Sequence, residues 1–257
     1  MKTWKEFCEL SYKYLLSIKP DSIPEETLKK EYFKWDSCEA KSLNEIFLRL
    51  IQSAQNSQMM PNVIKFDKNK KIFSEILYWF DYNKVLEKYT PENLCEKCIK
   101  EFDLKIIITP KNIWVRWTNS VIDSAKFVSQ FKAIDDFKAF VNSFLYNEVT
   151  KAALPMLISK EIKWFWYALA CDFIKELWYL DYCKPDVHIM DVFTELWYCE
   201  YNDYDAFKSV VKIAKEWWIT PYELDKIIRL ICSWKFYNEW IEIWSHKSEF
   251  IEYIKKQ

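Results

Sequence analysis

The sequence predicts an all-α protein. Apolar residues recur at helical spacing through most of the 257 residues. Helix-start signals, such as a proline in the first turn or a hydroxyl residue before it, precede several of these stretches. The one β-like run, residues 104–109, has no visible partner strand and is interpreted as an extended connector.

The N-terminal helices follow from apolar stripes and their end signals. Residues 3–18 carry a stripe that includes Phe7, Leu10 and Leu15 and stops before Pro20. The polar segment 56–71, rich in lysine, is predicted to be a loop. Further helices are predicted at 22–33, from about residue 42, at 71–89 and at 91–102.

The C-terminal helices follow from the same signals. Asp186 follows Pro185 and is predicted to be the N-cap of one helix, and Thr220-Pro221 starts another. Helices are predicted at 112–131, 135–145, 148–159, 187–196, 203–216, 221–231 and from residue 247.

The balance between glycine and tryptophan is unusual. At about 7% glycine a chain of this length should contain roughly 18, yet it contains none and has 14 tryptophans. Several tryptophans follow predicted helices, where glycine is common. We hypothesise that glycine originally stood at such positions (Trp164, Trp166, Trp178, Trp197 and Trp234), through a UGA codon that the source lineage reads as glycine. The alternative is a tryptophan-rich protein that ends its helices without glycine.

A turn and a short motif carry a family resemblance. With glycine at 164 and 166, the turn at 163–166 becomes Lys-Gly-Phe-Gly, a glycine-hydrophobic-glycine hairpin between two helices. Asp186-Val187-His188 follows 20 residues after Trp166. Hairpin, Asp-x-His motif and spacing together resemble the helix-hairpin-helix DNA glycosylase superfamily over about residues 110–240.

The resemblance implies an architecture and a partner. It implies two helical lobes with a cleft, a helix-hairpin-helix motif at about 148–178, and a monomer that binds double-stranded DNA with a damaged base. We divide the chain into an N-terminal region, 1–105, and a glycosylase-like core with C-terminal helices, 106–257. The implied DNA-contacting hairpin residues are Lys163, Trp164, Phe165, Trp166 and Tyr167. Indole rings at 164 and 166 should weaken this contact, because they obstruct close approach to the backbone.

The resemblance also implies a reaction. Asp186 is the catalytic candidate, since a carboxylate stabilises positive charge on the sugar and can activate water, and His188 is expected to orient this segment. Members that also cleave the strand carry a lysine four residues after the first hairpin glycine, but here that position is Ala168. The implied enzyme is therefore a monofunctional glycosylase for a damaged purine. Trp114, Trp117 and Tyr167 are candidates to stack on a flipped base, or else core residues.

Charge and targeting signals set limits on function. The 37 basic and 38 acidic residues leave no global basic field, which counts modestly against DNA binding. No signal peptide and no apolar run of about 18 residues are visible, so we expect a cytoplasmic protein without a membrane segment.

Cysteine usage gives no cofactor signal. Cys95 and Cys98 have metal-ligand spacing, but no second pair lies near them and the chain has two histidines. The cysteines are interpreted as buried thiols. Some members of the family that this chain resembles bind an iron–sulfur cluster through four closely spaced cysteines near the C-terminus. Here only Cys232 lies near the C-terminus. We therefore expect neither a metal nor a cluster.

Two other functions stay open. The first is a non-catalytic DNA-binding protein on the same scaffold, which Ala168 and the neutral charge favour. The second is a helical interaction protein unrelated to DNA. A basic surface at the hairpin would argue against the second, and an accessible pocket with Asp186 at its wall would argue against the first. We expect Asp186 to lie beside a cleft, facing the hairpin.

Overall fold

The protein is helical throughout almost all of the chain that a computed structural model describes, which is residues 4–33, 39–57, 60–233, 235–236 and 241–257. This confirms the predicted all-α class. The helices in order are α1 (Trp4–Ile18), α2 (Glu25–Thr27) with a π-helical turn (Leu28–Tyr32), α3 (Leu43–Ala54), α4 (Met60–Ile64), α5 (Lys70–Ile76), α6 (Tyr82–Lys88), α7 (Pro91–Glu101), α8 (Ile113–Val128), α9 (Ile134–Asn142), α10 (Glu148–Glu161), α11 (Tyr167–Glu176), α12 (Val187–Glu195), α13 (Asp203–Glu216), α14 (Pro221–Cys232) and α15 (Lys247–Lys256).

Side-chain caps begin several of these helices where the sequence predicted. Ser42 Oγ accepts a hydrogen bond from Glu45 N at 3.2 Å at the start of α3. Thr90 and Thr220 form capping boxes with the residues three positions later, ahead of α7 and α14. Each cap satisfies an amide that the first helical turn leaves without an intrahelical partner.

The predicted helix 71–89 is wrong, because the structure has two helices there. Tyr78, Trp79 and Phe80 have positive φ values of 51°, 59° and 62°. These left-handed residues end α5, and Asp81 then caps α6 by accepting from two backbone amides. Apolar spacing continues across the break, since spacing alone carries no information about backbone handedness.

Two smaller elements also differ from the predictions. The predicted loop 56–71 contains α4, whose Met60 and Ile64 are buried; a five-residue helix is too short to show a periodic stripe. Two antiparallel strands, β1 (Lys235–Phe236) and β2 (Ile241–Glu242), pair with Phe236 opposite Ile241. The run 104–109 has no regular structure, as predicted for a connector.

The chain forms two compact units, each built from separate stretches of sequence. The α8 unit comprises Glu39–Tyr146 and Ala153–Leu177, and the α14 unit comprises Met1–Cys38, Asn147–Ala152 and Trp178–Gln257. Neither follows the expected division at residue 105. Among the described helices, none combines the length and apolar character that crossing a membrane requires.

The core of the α8 unit is centred on α8, which packs against α3, α6 and α7. Trp117 is fully buried, and its ring centroid lies 4.8 Å from that of Phe73. Its Nε1 donates to Ile51 O on α3 at 3.4 Å. A buried indole with its N–H satisfied is a major contribution to the hydrophobic core.

The core of the α14 unit is centred on α14, which contacts α1, α12, α13 and α15. Phe7 of α1 is buried edge-on against Phe193 of α12 and Tyr198, with centroids 5.6 and 5.0 Å apart. This packing fixes α12, whose first turn carries the predicted Asp-x-His motif.

Candidate functional site

The predicted hairpin is the turn between α10 and α11, and it belongs to the α8 unit. Phe165 N donates to Ile162 O at 3.2 Å within the turn. Both side chains are buried, and Phe165 packs edge-on against Phe173 of α11 with centroids 6.4 Å apart. The hydrophobic residue of the motif therefore fixes the turn to the helix that follows.

Two side chains of α8 anchor the hairpin backbone at Lys163. Ser120 Oγ lies 2.7 Å from Lys163 O, closer than its alternative acceptor, Arg116 O, at 3.1 Å. Asp123 Oδ2 accepts from Lys163 N at 3.3 Å. Because Ser120 and Asp123 are buried, losing either hydrogen bond would leave a poorly solvated backbone group.

Sequence reasoning missed Ser120 and Asp123. Both are buried polar residues of α8, three positions apart, so they lie on the same face of the helix. That pairing was a signal that something polar would pack there. The sequence alone did not reveal that their partner is the backbone of Lys163, 43 residues after Ser120.

Indole rings lie on both sides of Phe165. Trp164 has φ 64°, and its ring centroid is 4.6 Å from the Arg116 guanidinium carbon. Trp166 is the N-cap of α11, with φ −66° and no side-chain capping hydrogen bond. The two ring centroids are 6.4 Å apart. The hairpin thus carries bulky rings where the family pattern has bare backbone.

The stacking candidates near the motif lie in the core. Trp114, Trp117 and Tyr167 are all buried, which removes their rings from the surface at which a base would stack. Ala168 is the second residue of α11 and offers no nucleophile.

The lysines that flank the motif differ sharply in exposure. Lys163 is exposed, whereas Lys175 is completely buried and lies 3.7 Å from the Asp172 carboxylate. Asp172 also accepts from Asn56 Nδ2 at 3.3 Å. Lys175 therefore belongs to a buried polar group that holds α11, where removing one charge would leave another unpaired.

Asp186 belongs to the α14 unit and is the N-cap of α12, as predicted. Its Oδ1 accepts from His188 N at 3.0 Å and from Ile189 N at 3.4 Å. Its other oxygen has no hydrogen bond to any residue within the described ranges. The side chain is partly exposed. The positive end of the helix dipole adjoins this carboxylate, and the second oxygen can face a developing positive charge.

His188 is the second residue of α12 and lies among charged groups. Burial lowers the pKa of its imidazole; Asp186 and Asp191 oppose this effect, whereas Lys247 and Arg229 reinforce it. Its Nδ1 is buried, with no hydrogen bond to a described residue. The lowered pKa favours a neutral imidazole near pH 7, and the orienting role expected for His188 stays a prediction.

An ion pair lies among the charged groups around His188, next to Asp186. Lys247 Nζ lies 2.6 Å from Asp191 Oδ2, which ties α15 to α12. Cys232 is buried beneath, and burial raises the pKa of its thiol to about 12. This thiol stays protonated and is a packing residue rather than a nucleophile.

Two open cavities and the Cys95–Cys98 pair supply no further catalytic group to the candidate site. Two open cavities of about 490 and 500 Å³, one at Tyr12 and Trp217 and one at Tyr253, do not include Asp186. Cys95 and Cys98 are buried on α7, and burial raises the pKa of both thiols. No group of three metal-ligating side chains occurs among the residues that the structure describes.

Asp186 and the hairpin belong to different units, and the expectation that they face each other stays a prediction. Trp234 lies outside the described residues. No protein-family model, no curated protein and no solved structure matches this chain.

Proposed function

We propose that this protein is a monofunctional DNA glycosylase that hydrolyses the N-glycosidic bond of a damaged purine. The observation that supports it most is the pairing of two local geometries at the family's spacing. One is the turn between α10 and α11, whose middle residue, Phe165, is buried. The other is Asp186 as the N-cap of the next long helix, with one carboxylate oxygen uncommitted.

Asp186 would act at the sugar carbon C1′. As the bond to the base breaks, the base leaves with the electron pair and the sugar becomes oxocarbenium-like. A carboxylate near that carbon stabilises the positive charge. A water oxygen then forms the new bond to C1′, and its proton passes to Asp186 or to solvent. The products are free base and an abasic site in an intact strand.

Water is the proposed nucleophile because no suitable amine is present at the expected position. Ala168 occupies the place of the family's lysine. Lys175 is buried beside Asp172 and cannot reach a sugar. Lys163 is exposed but at a different position in the motif.

Three cations at and near the hairpin support DNA binding despite the net charge of −1. Lys163 is exposed, and the Lys126 side chain is 62% exposed on α8. Two carboxylates accompany these lysines: Asp123 pairs with Lys126 at 3.4 Å, and Glu92 is within electrostatic range of both. Arg116 lies at the same turn, over Trp164. Such a cluster can hold phosphate without a global basic field.

The test is base release from duplex DNA by the full chain carrying Trp164→Gly and Trp166→Gly. With a panel of alkylated and oxidised purines we expect free base and a strand that breaks only after alkali. Borohydride should trap no covalent complex, because trapping requires an amine-derived Schiff base. Efficient trapping would instead show a lysine nucleophile, with Lys163 the first to replace.

The second candidate is a non-catalytic DNA-binding protein on the same scaffold, which Ala168 and the balanced charge favour. It predicts binding of duplex DNA with no release from any lesion. A helical interaction protein unrelated to DNA predicts neither binding nor release. The same panel, with binding measured in parallel, therefore separates the three functions.

A further inference from the structure

The backbone divides the tryptophans into two classes. Nine of the described residues have positive φ, and five of these are tryptophan: Trp79, Trp164, Trp178, Trp197 and Trp218, with φ between 59° and 73°. In this left-handed region the Cβ atom crowds the following carbonyl, so glycine is the usual occupant and Asn or Asp the usual exceptions. A bulky residue there is a genuine outlier.

Two of the five positions have the hydrogen bonds of a helix end that glycine typically forms. After α12, Trp197 N donates to Thr194 O at 3.0 Å and Tyr198 N to Phe193 O at 2.8 Å. After α13, the amides of Trp218 and Ile219 form the same pair, at 3.4 and 3.2 Å. This is the Schellman motif, in which the first residue after the cap is left-handed and is most often glycine.

The same motif after α7 provides an internal comparison. There Asp103 is the left-handed residue, with φ 46°, and Leu104 N donates to Ile99 O at 3.0 Å. Aspartate tolerates this backbone because its short side chain can hydrogen-bond locally. An indole has no such compensation.

Three of the five left-handed tryptophans also have exposed side chains. The indoles of Trp79, Trp197 and Trp218 are 75%, 81% and 94% exposed, whereas Trp114 and Trp117, in the regular helix α8, are 3% and 0% exposed. Tryptophan stabilises a protein mainly by burying its large apolar surface. The exposed, left-handed tryptophans combine an unfavourable backbone with little burial.

We propose that the natural protein has glycine at positions 79, 164, 178, 197 and 218 and true tryptophan at 114 and 117. A UGA codon read as glycine in the source lineage, and as tryptophan in this chain, accounts for the two classes. Positions 79 and 218 extend the set that the sequence indicated. Tyr78 and Phe80, on either side of 79, share its left-handed backbone, so the assignment at 79 rests also on the exposure of its ring. Trp166, with φ −66°, has a backbone that any residue adopts, so its assignment rests on the hairpin pattern alone.

The assignment changes the surface of the hairpin. Glycine at 164 removes the ring that Arg116 contacts at 4.6 Å, which leaves this guanidinium free beside an uncovered turn. Arg116 then becomes a third cation of that surface with Lys126 and Lys163. This consequence rests on the proposed function, but the glycine assignment does not, since its test involves no DNA.

The test combines codons with stability. We expect UGA at the five positions and UGG at 114 and 117. In chemical denaturation, the full chain with all five Trp→Gly substitutions should unfold at a higher denaturant midpoint than the starting chain, as should Trp197→Gly and Trp218→Gly singly. Trp114→Gly and Trp117→Gly, the matched controls, should lower the midpoint or prevent folding. UGG at the five positions, or a lower midpoint for the five-fold variant, overturns the proposal.

Discussion

Asp123 and Asp186 both accept hydrogen bonds from backbone amides but have different roles. Asp123 is buried and accepts from the Lys163 amide with one oxygen, while Lys126 lies 3.4 Å from the other. Asp186 is partly exposed and uses one oxygen for both amides of its cap. A carboxylate with both oxygens engaged is a positioning group, whereas one with a free oxygen can take part in chemistry.

We predict that Ser120→Ala destabilises the protein by roughly 1–2 kcal/mol, because it removes a buried hydrogen bond and leaves Lys163 O without its closest donor. Denaturant unfolding measures the loss. Ser129→Ala at the C-cap of the same helix, where the hydroxyl is exposed, should change stability by less than about 0.5 kcal/mol. Equal effects from the two variants would show that Ser120 does not anchor the hairpin.

The lowered pKa of His188 predicts a pH dependence of stability. Because burial holds this pKa below 6.5 in the folded chain, the unfolded chain binds the proton more tightly. The contribution is present above about pH 6.5 and is lost as pH falls through the folded pKa. His188→Gln should therefore flatten the decline in unfolding free energy between about pH 8 and pH 5. An unaltered slope in His188→Gln contradicts this account.

Helix starts were easier to predict than helix ends. The caps Ser42, Thr90 and Thr220 act through side chains within three residues, so the local sequence contains the whole interaction. Helix ends depend on a left-handed residue, and without glycine that signal was hidden. This is why the turn at 78–80 was missed, while Trp178 and Trp197 were found only through the absence of glycine.

The hairpin yields a binding prediction. Trp164→Gly should tighten binding of undamaged duplex DNA, because it uncovers the turn and frees Arg116. Adding Arg116→Gln should reverse the gain and reduce the slope of log affinity against log salt by about one, since one phosphate contact is lost. Fluorescence anisotropy at several salt concentrations measures both effects.

Lys84→Gln on α6, in the same Trp164→Gly background, is the control for removing one positive charge. Its side chain is exposed and 3.5 Å from Asp81. It should leave the affinity close to that of Trp164→Gly. If Lys84→Gln and Arg116→Gln weaken binding equally, the effect is one of overall charge and not of the hairpin.

At the scale of the whole molecule, the all-α class could be predicted from the sequence, but the grouping of the chain into two compact units could not. Helical periodicity is local, so composition and spacing were enough for the all-α prediction. The units, by contrast, assemble distant stretches: Asn147–Ala152, the start of α10, belongs with the two chain termini. Such grouping depends on packing between residues far apart in sequence, which a single sequence does not display.

The measurement that tests the central claim most directly compares Asp186→Asn with the parent chain, both with glycine at 164 and 166. Asn caps a helix about as well as Asp, so the fold and DNA affinity should persist while base release falls at least about a hundredfold. Asp81→Asn, the same change at the N-cap of α6, should release base at the parent rate. Equal release by Asp186→Asn and the parent, or no release by the parent from any lesion, would contradict the account.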